Sequence, residues 1–212
     1  MNMETFLTLG FAAVVGFTHA FEADHLLAVS NIVTRRHSLA EAVKDGVYWG
    51  LGHTSTILVI GVLMIVARVA VEEQVFHFFE AGVGAMLIGL GLHRIRKVWL
   101  HEQTHAAQHE NLQPHHHRLA YGVGLVHGLA GSGTLVLLVM TQLRGSLESI
   151  AYLLIFGLGS VAGMLLASGI FSLPFSKKWS SGRRLQLSLS LLSAALCIVF
   201  GARVVWENLA QA

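Results

Sequence analysis

The chain has one cysteine and two prolines in 212 residues, and only 12% of its residues are charged. Each scarcity excludes something. A single thiol, Cys197, cannot build an intrachain disulfide framework or a zinc site of several cysteines, so it is read as a small packing residue. Neither Pro114 nor Pro174 lies inside a long apolar block, so any broken helix must depend on glycine or on buried polar residues. Charge at about half the 25% usual for soluble domains rules out a water-soluble globule. The opening "MNMETFLTLG" holds no Lys or Arg and is not followed by a small-residue cleavage site, so the first block is expected to stay uncleaved.

What the sequence does have is apolar length. Blocks at roughly 5–29, 47–67, 75–93, 119–142, 148–171 and 185–206 are each about long enough to cross a hydrocarbon core of ~30 Å as a helix. The predicted fold is an all-α polytopic membrane protein with six transmembrane helices, a single integral domain over residues 1–212. Eleven of the fourteen basic residues, from Arg35 and Arg36 to Arg183 and Arg184, fall in the first, third and fifth connections; only Arg68, Arg144 and Arg203 lie toward the other side. The positive-inside rule then puts those three connections in the cytoplasm and both termini outside a cell inner (plasma) membrane. Topology accounts for the basic residues, and nucleic acid is not an expected partner.

The two halves resemble each other. "GFTHAFEADHLLAV" (16–29) aligns with "GLVHGLAGSGTLVL" (124–137) at an offset of 108, and "GLGHTSTIL" (50–58) with "GLGSVAGML" (157–165) at 107. Three helices per unit is an odd number, so the second unit enters the membrane from the opposite side. This predicts a 3+3 inverted repeat: repeat one about 1–97, a His-rich cytoplasmic loop about 98–118, and repeat two about 119–212. Small residues at helix-contact spacing, Ala81/Ala85/Gly89, Gly124/Gly128 and Gly159/Gly163/Ala167, predict close helix packing.

The chemistry concentrates in "HAFEADH", residues 19–25. Glu22 and Asp24, if ionised near a helix centre, oppose insertion by roughly 5–7 kcal/mol together, and no basic residue lies in the segment to offset them. Protonation or a bound cation would. Imidazole with carboxylate and no sulfur suits Ni, Co, Zn, Fe or Mn. At about 100° per residue, His19, Glu22 and His25 follow one flank while Asp24 points away. Either the helix unwinds at the motif, or Asp24 orients a histidine ring from outside. The apolar stretch from Thr5 to Thr34, about 45 Å as a helix, is also too long for one straight crossing. A buried polar cluster that merely holds the bundle is the plainer alternative.

Counting depth along the blocks brings His53 of "GLGHTST" and His127 of "VHGLAGSG" to the level of His19. Glu80 with His77 is a minor candidate for an entry point, and Thr54, Ser55, Ser132 and Thr134 could line a path or bond to their own helices. The third connection carries His101, His105 and His109 at helical spacing, then His115, His116 and His117, a density suited to transition metals.

These residues resemble a known family. "HAFEADH" is similar to the H-x4-D-H signature of nickel/cobalt transporters, in the fuller form H-A-x-D-A-D-H, and "LGHTST" to their G-H-S/T element. The six-helix length and "VHGLAGSG" look more like the short branch, the urease-accessory nickel permeases. The resemblance implies that His19, Asp24 and His25 handle metal with His53 as a partner; Glu22 stands where longer members have Asp, keeping the charge. The His-rich connection resembles that of nickel/cobalt exporters in the same superfamily.

The expected function is transmembrane uptake of Ni²⁺, with Co²⁺ alongside, through His19, Glu22, Asp24, His25, His53 and His127. The metal is a transported substrate and no cofactor is expected. Expected partners are the ion, the bilayer, and a cytoplasmic nickel chaperone or a second copy of the chain. Efflux is the alternative. A membrane metalloenzyme of the histidine-box kind is a distant third, because the embedded histidines are too few for a two-iron site.

Overall fold

A computed structural model describes residues 3–33, 38–67, 73–103, 116–142, 145–175 and 182–210. Among them every regular element is helical: α1 (Met3–His19), α2 (Ala23–Val33), α3 (Leu39–Ala67), α4 (Glu73–Gln103), α5 (His116–Gln142), α6 (Ser146–Ser172) and α7 (Arg183–Leu209), with a 3₁₀ turn at Leu173–Phe175 after α6. Pro174 lies in that turn, where its missing N–H and fixed φ end the helix.

The apolar blocks of the sequence fall on helices, the first on two, α1 and α2, with a break at residues 20–22. α3 starts eight residues before the expected block, taking in Glu41, Lys44 and Asp45. Four helices, α3, α4, α6 and α7, are long and apolar enough to cross a membrane; α1 and α2, bent by 55° at a short break, make a fifth span if counted as one. The chain is thus a multi-pass membrane protein. The block expected at 119–142 is covered by α5, a helix of 27 residues that is not among those four.

α3 packs against α5 and α6, α1 against α6, α4 against α7 and α5, and α2 against α7 and α6. α3 and α5 run parallel: Asp45 near the start of one meets His117 at the start of the other, and further on Thr56 Oγ1 donates to Leu125 O. α4 and α7 run antiparallel, tied at one end by His77 Nδ1 to Asn208 Oδ1 (2.9 Å) and at the other by Arg94 Nη2 to Ser190 Oγ (2.9 Å). His77 therefore acts as a tie between helices.

Glycine makes the close approaches possible, as small residues do where no water drives helices together. A Cβ at Gly16 would overlap the Phe156 carbonyl oxygen, and one at Gly124 the Trp49 carbonyl oxygen. Likewise Gly159 lies on Ala13 O and Phe17 N, and Gly52 on Tyr121 O and Leu125 N. Each residue of the first contact has its counterpart in the second at a separation of 107 or 108 positions.

The expected stripes on α5 and α6 do face neighbours: Gly128 meets His53 O, Gly163 meets Phe17 O, and Ala167 is buried. The stripe Ala81/Ala85/Gly89 is corrected. Ala85 is exposed and Gly89 has open space beside it, whereas Gly84 and Gly91 lie against Gly201 O and Ala194 O of α7. Small residues recur on both flanks of α4, and spacing alone does not say which flank α7 covers.

Cys197 of α7 is buried as expected, and it also joins a polar clasp to α2. Asn31 Nδ2 donates to Cys197 Sγ (2.8 Å) and to Ser193 Oγ (3.1 Å), and the thiol donates to Leu27 O (3.2 Å).

Candidate metal centre

The helix stops inside "HAFEADH". Phe21 N donates to Thr18 O and Glu22 N to His19 O, tight i→i−3 bonds that close α1; Leu26 N to Glu22 O opens α2. Local polar pairs favour the break. His19 Nδ1 sits 2.8 Å from Glu22 Oε1, and Asp24 Oδ1 accepts both the backbone N–H (2.8 Å) and Nδ1–H (2.9 Å) of His25. Side-chain bonds of this kind compete with the helical ladder. Both alternatives raised by the sequence thus occur together: the helix is interrupted, and Asp24 orients a histidine ring.

The interruption aims His19 at the end of α1 and His25 at the start of α2 toward each other, with ring centroids 4.6 Å apart. α3 brings His53 to 5.2 Å from both rings, and α5 brings His127 to 4.7 Å from His25. Two overlapping sets of donor atoms result: His19, His25 and His53, and Asp24, His25 and His127, the atoms of each set lying within 4.8 Å of one another. His25 belongs to both.

Five ring nitrogens here are buried without a hydrogen-bond partner: Nε2 of His19, His25 and His127, and both nitrogens of His53. Leaving a buried polar group unsatisfied costs about 1–3 kcal/mol. A neutral ring keeps one N–H, so these atoms supply four lone pairs, one from each of four helices; packing does not explain that convergence, whereas ligation of a cation does. Asp24 Oδ2 lies 3.8 Å from His127 Nε2, and His127 Nδ1 faces Val123 O at 3.3 Å. Asp24 therefore supplies negative charge and holds His25 Nδ1–H, which leaves His25 Nε2 as the free donor, the usual arrangement of a metal-bound histidine.

Of the six residues expected at the site, five come together. Glu22 does not: its side chain is 57% exposed, it pairs with His19 Nδ1, and it belongs to neither donor set. The hydroxyls mostly bond to backbone, Ser55 to Leu51 O of its own helix and Thr54 to Gly157 O of α6. His105, His109 and His115 lie outside the described residues, as do the side chains of His101, His116, Ser132 and Thr134. The sequence reading missed Trp49, buried against His25 (5.5 Å) and His127 (5.6 Å), and Phe156, which meets His19 at 5.6 Å. The signal for Trp49 was its place one turn before His53.

Comparison with known proteins agrees with this chemistry. The chain is 32% identical over 220 residues to the urease accessory protein UreH of Bacillus sp. (strain TB-90), covering 98% of this chain and 93% of the relative. It is 27% identical over 203 residues to a Methanocaldococcus jannaschii protein named for nickel/cobalt efflux, covering 90% and 88%. It is 31% identical over 87 residues to the nickel transporter NixA of Staphylococcus aureus, covering 38% and 25%. No family model and no solved structure matches. The chain belongs to the nickel/cobalt transporter family. Its relatives are named as transporters or accessory proteins and not as enzymes, so the histidine-box reading is set aside.

Proposed function

We infer that the chain carries Ni²⁺, and Co²⁺ with it, across the membrane into the cytoplasm, with the buried imidazole cluster as its transit site. The observation that carries this reading is the convergence of four imidazoles, His19, His25, His53 and His127, each with a buried ring nitrogen that has no hydrogen-bond partner. Imidazole nitrogen with one carboxylate and no thiolate suits Ni²⁺ and Co²⁺ while keeping binding reversible. The names of the relatives, for nickel transport, for nickel/cobalt efflux and for urease accessory function, support the metal. A urease-maturation role would make a cytoplasmic nickel chaperone the natural receiver.

Six spans in two inverted halves, about 1–97 and 119–212, fit the packing. Exchanging α1–α2 with α5, α3 with α6 and α4 with α7 turns the α3–α5 contact into the α1–α6 contact and the α4–α5 contact into the α2–α7 contact. The paired glycine contacts follow the same exchange residue by residue. Rocking of such halves around a central site would expose it alternately to each side.

Direction rests on two supports. The excess of basic residues in the first, third and fifth connections favours a cytoplasmic shared end of α3 and α5, and a divalent cation entering an inside-negative cell gains about 4.6 kcal/mol per 100 mV. Efflux is kept as the second reading because one relative is named for it; an exporter would lower cellular nickel on expression, where an importer raises it. The test is radioactive Ni²⁺ flux into proteoliposomes of known orientation, with Co²⁺, Zn²⁺ and Mn²⁺ as competitors. Wild type should show saturable flux and His25→Ala background flux only. Undiminished flux in His25→Ala would overturn the site.

A further inference from the structure

Asp45, Trp49 and His53 follow one another at single-turn intervals on α3, all buried. The metal cluster lies at the His53 end of this row. At the other end, about 12 Å along the helix, stands a carboxylate–imidazole pair that the cluster does not include: His117 Nδ1 lies 2.9 Å from Asp45 Oδ1. The ring of Tyr48 stacks on the imidazole at 4.9 Å and 13°. Asp45 is 1% exposed and His117 31%, so the pair reaches from the interior to the end of the bundle where the His-rich connection joins α5.

The pair repeats the Asp24–His25 arrangement, in which the same two atom types are also 2.9 Å apart. In both, the carboxylate accepts Nδ1–H and so leaves Nε2 as the nitrogen able to take a metal, although Asp24 is partly exposed where Asp45 is buried. Between the two pairs stands the Trp49 indole, against His25 and His127 on the cluster side. The other half of the molecule offers a comparison. Phe156 is the counterpart of Trp49 and meets His19, but the counterpart of Asp45 is Tyr152, buried in an apolar cluster that Leu9 packs against. The buried aromatic residue is repeated and the carboxylate–imidazole pair is not.

We propose that Asp45 and His117 form a second, weaker station for the transported divalent ion, reached from the buried cluster when the Trp49 side chain moves aside. The proposal rests on the transport reading above. One imidazole nitrogen, its ring held from the far side by Asp45 and its ion's shell completed by water, binds loosely and exchanges fast, as a point of release requires.

The test uses the full chain in lipid nanodiscs, with His101, His105, His109, His115 and His116 changed to Gln so that the connection contributes no other imidazole. Equilibrium dialysis against Ni²⁺ alone should find two ions per chain, one tight and one weak. His117→Gln and Asp45→Asn should each lose the weak ion and slow proteoliposome flux about tenfold, with thermal unfolding unchanged in His117→Gln. His25→Ala should lose the tight ion and keep the weak one. A single ion per chain, retained in His117→Gln with full flux per folded molecule, would show a structural clasp and overturn the station while leaving the cluster intact. If wild type neither binds nor moves Ni²⁺, the transport reading itself fails and the station with it.

Discussion

α1–α2 and α5 make matching glycine contacts at positions 108 apart in sequence, yet one is broken and the other is continuous. Both begin alike. Gly16 and Gly124 each rest on the carbonyl of a buried aromatic residue, and Phe17 and Leu125 each lie against a glycine of the facing helix. One turn later the chains part: α1 ends at His19 and the axis bends by 55°, whereas α5 runs on to Gln142. Since the contacts shared by the two starts are followed by an unbroken helix in α5, those contacts do not by themselves cause the break. The cause is local to residues 19–25, where Glu22 and Asp24 bond to neighbouring histidines. In the second half His127 is kept, but Ser132 stands at the place of Asp24 and Gly133 at that of His25.

This comparison can be broken most severely at its shared element. Gly16→Ala and Gly124→Ala should each cost about 1–3 kcal/mol or more, because the added methyl meets backbone that cannot yield; thermal unfolding in detergent should register both equally if the halves are equivalent. Asp24→Asn comes next. It keeps shape but weakens the hold on His25, and should lower Ni²⁺ affinity about 10–100-fold without unfolding the chain. Glu22→Gln should do less, since an exposed pair with His19 is worth under about 1 kcal/mol; a loss as large as that of Asp24→Asn would place Glu22 at the metal. Smallest is Gly122→Ala, two residues before Gly124 but beside open space, expected within about 0.5 kcal/mol of wild type.

Much of the candidate site was legible because depth along an apolar block converts directly into height in a helical bundle. That placed His19, His53 and His127 on one level, and the crowding of charge in "HAFEADH" announced the break. What escaped was whatever depends on which flank of a helix is covered. The α4 contact was assigned to Ala85 and Gly89 when Gly84 and Gly91 make it, because both flanks carry small residues. Asp45 escaped for a different reason: a charge before an apolar block reads as the end of a span, and only the fold shows α3 beginning at Leu39 with His117 beside Asp45. Glu22 was counted with the metal donors on helical spacing, and the interruption of the helix turned it outward.

The clasp between α2 and α7 has a practical consequence. Its thiol is fully buried and tied to Asn31 and Leu27, so the chain's single cysteine is shielded from water-borne alkylating reagents. The native protein can therefore take one engineered cysteine at a time as it stands. Maleimide accessibility at such positions along α3, α5 and α6, with and without Ni²⁺, would then report which side of the cluster is open, against a silent background.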